Sequence, residues 1–260
     1  MHRTSQFVII ASVALMAFGS ALIASADHAW GGYHWFRSAN PFTLSLGDNV
    51  GSAWDAHLRE ASTDWSVSEV LDTVVVSGLS NPKNCKAVPG RVEICNSRYG
   101  NNGWLGIASI WTSGGHISQG TVKMNDTYFN TAKYNTPAWR KLVMCQEIGH
   151  AFGLDHQDED FANTPLGTCM DYSNDPVPNQ HPNAHDYEEL ALIYAHMDGV
   201  AGTTTMATSA TNDDGESWGR MVRAGSDGLP AIYVKDLGNG EKKFTFVTWT
   251  EETRRAHSHE

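Results

Sequence analysis

The chain has 260 residues, 41% apolar and 18% charged, which suits one large packed domain or two small ones and argues against wholesale disorder. Asp and Glu number 29 against 18 Lys and Arg, a formal charge of -11. That balance argues against a nucleic-acid partner, which needs a basic surface to replace phosphate counterions, and against a polybasic membrane-surface protein.

His2 and Arg3 precede an apolar run from Phe7 to Ile23, and Ala24-Ser25-Ala26 has the form of an A-x-A cleavage site. Residues 1–26 are therefore expected to be a signal peptide, with an uncleaved anchor as the weaker alternative because the run is long. No later stretch approaches the ~18 consecutive apolar residues of a spanning helix, so no membrane association is expected after signal removal. The expected product is a secreted, extracellular, soluble monomer.

The mature part holds all four cysteines, Cys85, Cys95, Cys145 and Cys169. An even count in an oxidising compartment predicts two disulfides, with the local pairs Cys85–Cys95 and Cys145–Cys169 favoured among three connectivities. A four-thiolate zinc site is the alternative, but no C-x-x-C pair exists.

In chain order, residues 27–40 are rich in Gly, Trp and His and read as an irregular arm. Pro41 to Leu46 alternates as a half-buried strand does. Val50 to Trp65 places Trp54, Leu58, Ala61 and Trp65 at helical spacing. Leu71 to Ser77 is a β-branched strand. Residues 80–103, with Pro82, Pro89, Gly90, Gly100 and Gly103, form a long loop enclosing a short strand at Arg91 to Asn96. Strands follow at Leu105 to Thr112 and His116 to Asn125 around Gly114-Gly115. The strongest helix pattern, Trp139 to Phe152, starts near Thr136-Pro137 and stops at Gly153. A second helix is expected from His185 to Met197, then a linker or exposed loop at 200–217. Ala231 to Asp236 and Lys243 to Trp249 flank Gly238-Asn239-Gly240 as a terminal hairpin, and Arg254 to Glu260 is expected to fray. The fold class is α+β, divided into 27–199, the 200–217 linker and a small 218–260 β-hairpin extension.

The chemistry concentrates in Cys145-Gln146-Glu147-Ile148-Gly149-His150-Ala151-Phe152-Gly153-Leu154-Asp155-His156. On a helix, residues 146 and 150 share a face one turn apart. Gly153 can take φ > 0, end the helix and turn the chain so that His156 returns to the same point. Three protein ligands and an open water position make a catalytic zinc centre. Glu147, beside the first ligand position, can accept the proton of a metal-activated water.

This stretch resembles the metzincin signature H-E-x-x-H-x-x-G-x-x-H, matched by Glu147, His150, Gly153 and His156. Thr168-Cys169-Met170-Asp171-Tyr172 resembles the clan's Met-turn, and Tyr172 stands where astacin-like members carry a metal- or intermediate-contacting Tyr. The resemblance covers about residues 41–198. It implies a twisted mixed sheet with an active-site helix and a C-terminal helix, and a zinc endopeptidase acting on peptide or protein substrates. Glu147 would be the general base, Gln146, His150 and His156 the metal ligands, Met170 the floor and Tyr172 an intermediate stabiliser. The departure is Gln146, where the signature has its first His. Gln146 ligates through its amide oxygen, or Asp155, His116, His181 or His185 replaces it, or the site is empty and the chain is a catalytically inactive, protein-binding pseudoprotease.

The Cys145–Cys169 bond would staple the metal helix to the turn beneath it. Asp158-Glu159-Asp160 and Asn212-Asp213-Asp214-Gly215-Glu216 offer the oxygen ligands that calcium (Ca2+) takes, though the second lacks the full twelve-residue loop and reads as a solvated acidic loop. His185-Asp186-Tyr187-Glu188-Glu189 reads as helix capping. Gly114-Gly115 and Leu105 to Trp111 are expected to line a substrate cleft, with an open strand edge for an extended peptide. No regulatory pro-segment is expected, since no cysteine precedes Cys85.

Overall fold

Strand-forming runs on both sides of the helical middle of the chain assemble into one nine-stranded sheet. The computed structural model describes residues 28–161, 163–199 and 217–257; the expected signal peptide and residues 200–216 of the linker lie outside them. In chain order the elements are β1 (His34–Trp35), β2 (Phe42–Asn49), α1 (Asp55–Trp65), β3 (Leu71–Ser77), β4 (Arg91–Ser97), β5 (Trp104–Ser113) and β6 (His116–Asn125). There follow α2 (Asp126–Phe129), α3 (Pro137–His150), α4 (Ala184–Ile193), β7 (Arg220–Ala224), β8 (Pro230–Gly238), β9 (Glu241–Trp249) and α5 (Glu251–His257). The fold is α+β, with a mixed sheet in the order β3-β2-β4-β6-β5-β9-β8-β7 and β1 on the start of β6. Strands β2, β3, β4 and β6 run parallel, β5 is antiparallel to β6, and β7, β8 and β9 continue antiparallel from β5.

Helix α1 buries Leu58, Ala61 and Trp65 with Trp54 just before it, the stripe that the 3.6-residue period places on one face. The Trp65 indole donates to the Cys145 carbonyl of α3 at 3.1 Å. Helix α3 starts where its sequence signals lie: the Thr136 hydroxyl accepts from the Trp139 N–H, and Pro137 needs no partner for a missing N–H. From Leu142 to His150 every residue is buried, so this part of α3 is enclosed on every side. Both favoured disulfides form, each with Cα atoms 5.9 Å apart.

Several boundaries differ from expectation. Helix α1 starts at Asp55 rather than Val50, because β2 runs on to Asn49 and the Gly51 N–H is taken by Asn96. Helix α4 ends at Ile193 rather than Met197, because the Arg37 guanidinium takes the Tyr194 and His196 carbonyls. Arg254, expected in a frayed end, is buried in α5, whose first turn is closed by Thr250 accepting from Thr253 N–H at 3.2 Å. The expected terminal hairpin forms, β8 against β9, but it is more than a small extension: within 217–257 it is joined by β7 and α5 and becomes part of the main sheet, with β9 paired along β5 from Ser113↔Glu241 to Trp104↔Trp249. The edge of β5 expected to receive a peptide is therefore covered.

Candidate metal centre

Three turns of chain bring the motif together. Helix α3 ends at His150, Gly153 adopts φ 103°, and the chain folds back to His156. A side chain at Gly153 would meet the Tyr33 carbonyl, so that position needs glycine for space as well as for φ. The Nε2 atoms of His150 and His156 then lie 3.0 Å apart, both rings buried. Met170 sits under the helix with its sulfur against Gly149.

The hydrogen bonds define which ring atoms are free. His150 Nδ1 is 2.9 Å from the Leu154 carbonyl, an acceptor, so this nitrogen carries the proton and Nε2 presents a lone pair. His156 Nδ1 is buried without a hydrogen-bond partner, 3.7 Å from Asp155 and 3.6 Å from Glu159. A proton on Nδ1 would face those carboxylates and leave two Nε2 lone pairs converging; a proton on Nε2 would leave Nδ1 facing anions bare. The first arrangement is the one a cation between the rings resolves.

Glu147 is fully buried, and neither carboxylate oxygen has a hydrogen-bond partner. Burial pushes its carboxyl up to about 8; the Thr248 hydroxyl and the Ala108 N–H nearby pull weakly the other way without closing a bond. Gly106 of β5 gives the carboxylate its space, since a Cβ there would collide with it. His150 is held well below its ordinary value by burial first and by His156 second. The Tyr172 hydroxyl is also buried without a partner, its ring 3.9 Å from that of His156 and stacked on Phe161. Burial, then the charge of Glu159, holds that phenol well above its ordinary value.

Gln146 is engaged at both ends. Its amide nitrogen donates to the Cys169 carbonyl at 3.0 Å, and its oxygen accepts from Thr248 of β9 at 2.7 Å. An amide oxygen has two lone pairs, and Thr248 uses one. The other proposed third ligands go elsewhere: His181 pairs with Asp64, His185 packs on His28, and His116 faces Asp198. Asp155 stays next to His156 but is held by Arg223 of β7, which also holds Glu159. That contact keeps the Glu159 carboxyl at about 2, burial being outweighed by His156 and Arg223. Within the first calcium candidate, Asp158 accepts from the Asp160 N–H and Glu159 serves Arg223; residues 212–216 lie outside the described residues.

The donor set therefore fits a divalent cation: two imidazole nitrogens within shared reach, an amide oxygen with a spare lone pair, and an orphaned buried carboxylate beside them. What the sequence did not disclose is the cover. Phe246 of β9 lies flat on His150, with centroids 4.6 Å apart and planes within 7°. Thr248 and Arg223 complete the enclosure, and neither the surface hollow lined by Trp30, Tyr33 and Phe244 nor the one lined by Phe161, Asp227 and Arg254 includes Glu147, His150 or His156. Phe246, Thr248 and Arg223 lie 64 to 102 residues from their partners, and no local motif marks them.

No protein-family model matches the chain, and no curated relative does. Among solved structures the chain is similar to high choriolytic enzyme 1, a hatching enzyme zinc-protease from Oryzias latipes (Medaka fish), at 12% identity and a TM-score of 0.34, covering 66% of this chain and 99% of that one. It is also similar to myroilysin at 11% identity and a TM-score of 0.36, covering 64% of this chain and 87% of that one.

Proposed function

We propose that this protein is a secreted zinc-dependent endopeptidase whose own C-terminal strands hold it closed in the full-length form. The observation that carries the reading is the meeting of His150 Nε2 and His156 Nε2 at 3.0 Å beside two unpartnered Glu147 oxygens. His150, His156 and the oxygen of Gln146 would hold the ion. Zinc there would supply Lewis acidity and lower the pKa of a bound water toward ~7.

The chain's own groups serve that chemistry directly. Glu147 can take a proton from water on one carboxylate oxygen and pass it to a leaving amine, acting as general base and then acid. The Tyr172 hydroxyl, with no partner of its own, is a donor available to a developing oxyanion. Strand β5 can pair with an extended peptide or protein substrate once β9 leaves it. Export follows from the expected signal peptide. The two disulfides are compatible with it, and no helix among the described residues is long and apolar enough to cross a membrane. No calcium role is proposed.

The second reading is a catalytically inactive, protein-binding pseudoprotease, favoured by Gln146 being tied to both Cys169 and Thr248. A protease site inserted within residues 200–216 separates the two. After cleavage and removal of the 217–260 fragment, chelator-sensitive casein hydrolysis that Glu147→Gln abolishes supports the enzyme. Zinc binding without hydrolysis selects the silent domain, and absence of zinc binding at His150 and His156 removes the metal-centre reading altogether.

A further inference from the structure

Three imidazoles from three parts of the chain face one carboxylate oxygen. Asp198 Oδ1 lies 3.1 Å from His34 Nε2, 3.3 Å from His116 Nε2 and 3.2 Å from His196 Nε2. The His34 ring is 4.8 Å from that of His116 and 4.6 Å from that of His196, each pair nearly edge to face. His34 comes from β1, His116 opens β6, and His196 and Asp198 follow α4. The β1–β6 pairing sets His34 directly opposite His116.

The surrounding bonds orient the carboxylate and the His34 ring. The other Asp198 oxygen is taken by the Arg37 guanidinium at 3.1 Å and the Arg37 N–H at 2.9 Å. That leaves Oδ1 for the imidazoles. His34 Nδ1 is 2.9 Å from the Gly32 carbonyl, which can only accept, so the neutral ring carries its proton there and aims a bare Nε2 at Oδ1. Two acceptors at 3.1 Å repel unless positive charge lies between them. His116 brings a second ring nitrogen to the same oxygen at 3.3 Å.

A metal ion supplies that charge. Zinc bonds to imidazole nitrogen and carboxylate oxygen are about 2.0–2.2 Å long, and the edges of such a tetrahedron are about 3.3–3.4 Å. The His34 and His116 separations from Asp198 Oδ1 fall close to that edge. The outer contacts are those expected of a metal site: an imidazole oriented by a carbonyl and a carboxylate oriented by a guanidinium. His196 is 59% exposed at its side chain and His116 34%, so an ion can enter from solvent.

We propose that His34, His116 and Asp198 hold a zinc ion, separate from the centre at His150 and His156, with His196 packed on His34 at its exposed side. Three protein ligands leave the fourth position to water. The ion clips the N-terminal arm and the β5–β6 turn to the segment after α4, which otherwise join through few elements of regular structure.

The test is zinc affinity of the purified full-length chain, measured by competition with a chromophoric chelator, together with zinc stoichiometry by elemental analysis. His196→Ala and His116→Ala change solvent-reachable residues outside the core. Even loss of a metal's outer contacts weakens affinity about 10–100-fold, so His116→Ala is expected to weaken one zinc by about 100-fold or more and lower the stoichiometry by one, while His196→Ala is expected to keep that zinc bound. His156→Ala is expected to keep that zinc, which distinguishes this site from the proposed catalytic centre. Cobalt substitution gives a second readout: the visible bands of a tetrahedral site are expected in the wild type and lost from this site in His116→Ala. Unchanged zinc affinity and stoichiometry in His116→Ala would overturn the proposal, leaving a metal-free histidine–carboxylate cluster.

Discussion

The buried Glu147 carboxyl makes the stability of the metal-free protein depend on pH in a way one substitution can isolate. Its ordinary value is 4.5 and burial raises it to about 8. The folded chain therefore binds this proton more tightly than the unfolded chain does. Below pH 4.5 both states are protonated and the group makes no difference. Between 4.5 and 8 the unfolded state ionises while the folded state cannot, and stability falls by about 1.4 kcal/mol per pH unit. Above 8 the loss levels off. At pH 7 the penalty is on the order of 3 kcal/mol by that slope. Glu147→Gln keeps the shape and removes the proton, so the chelator-treated variant is expected to be more stable than the wild type at pH 7 by about that order. The two should converge near pH 4.5. The assay is urea denaturation from pH 4.5 to 8.5 in the presence of chelator, read as the difference between the two proteins, so that other titrating groups cancel. A difference that does not change with pH would refute the reasoning. Zinc is expected to reverse the sign, because an ion beside Glu147 favours the charged form.

Replacing both Cys145 and Cys169 by Ala opens a link spanning 24 residues, and urea denaturation is expected to show a loss of about 3 kcal/mol; a loss near zero would mean that packing alone holds the turn under α3. Thr248→Val removes the donor to Gln146, leaves its oxygen buried without that bond, and is expected to lower metal-free stability by about 1–3 kcal/mol while tightening zinc in a chelator competition. Arg223→Met is expected to raise the Glu159 carboxyl from about 2 toward its ordinary 4.5. The wild type holds the stabilisation from this depressed group above pH 4.5 and loses it as pH falls toward 2, so the variant should show a weaker acid-limb decline in denaturation between pH 5 and pH 3; identical acid limbs would show that Arg223 does not hold Glu159 in solution.

Local pattern carried the reading of the helical middle of the chain. Trp54, Leu58, Ala61 and Trp65 share a face because their spacing follows the helix period, and Thr136-Pro137 and Gly153 mark the ends of α3 by backbone chemistry that needs no tertiary partner. His116–Asn125 has the expected bounds for the same reason, a glycine turn followed by a β-forming run. What local pattern cannot specify is which strand pairs with which. β9 reads as half of a hairpin with β8, and it is; its second edge lies on β5, more than 120 residues earlier. Short, charged β7 has an edge strand's composition and gave no alternation to detect. The end of α4 depends on Arg37, over 150 residues upstream. The same distance hides the His34–Asp198 pairing, 164 residues apart, behind an arm that reads as irregular.

Gln146 and the cover explain one another. A His at this position, bound to an ion through one nitrogen and donating to the Cys169 carbonyl through the other, would have no lone pair left for the Thr248 hydroxyl. The hydroxyl would then be buried with its donor unmet, and β9 would dock less well. Glutamine keeps the Cys169 contact through its amide N–H and offers Thr248 an oxygen. On the proposed function, the side chain that would weaken the metal set is the one that lets the C-terminal strands close over it. Metal affinity and closure would then be coupled through one residue, and any such coupling is reciprocal. Gln146→His should tighten zinc and loosen the C-terminal strands together. A substitution that moved zinc affinity alone, with hydrogen exchange along β9 unchanged, would show that Gln146 answers to the metal and not to the cover.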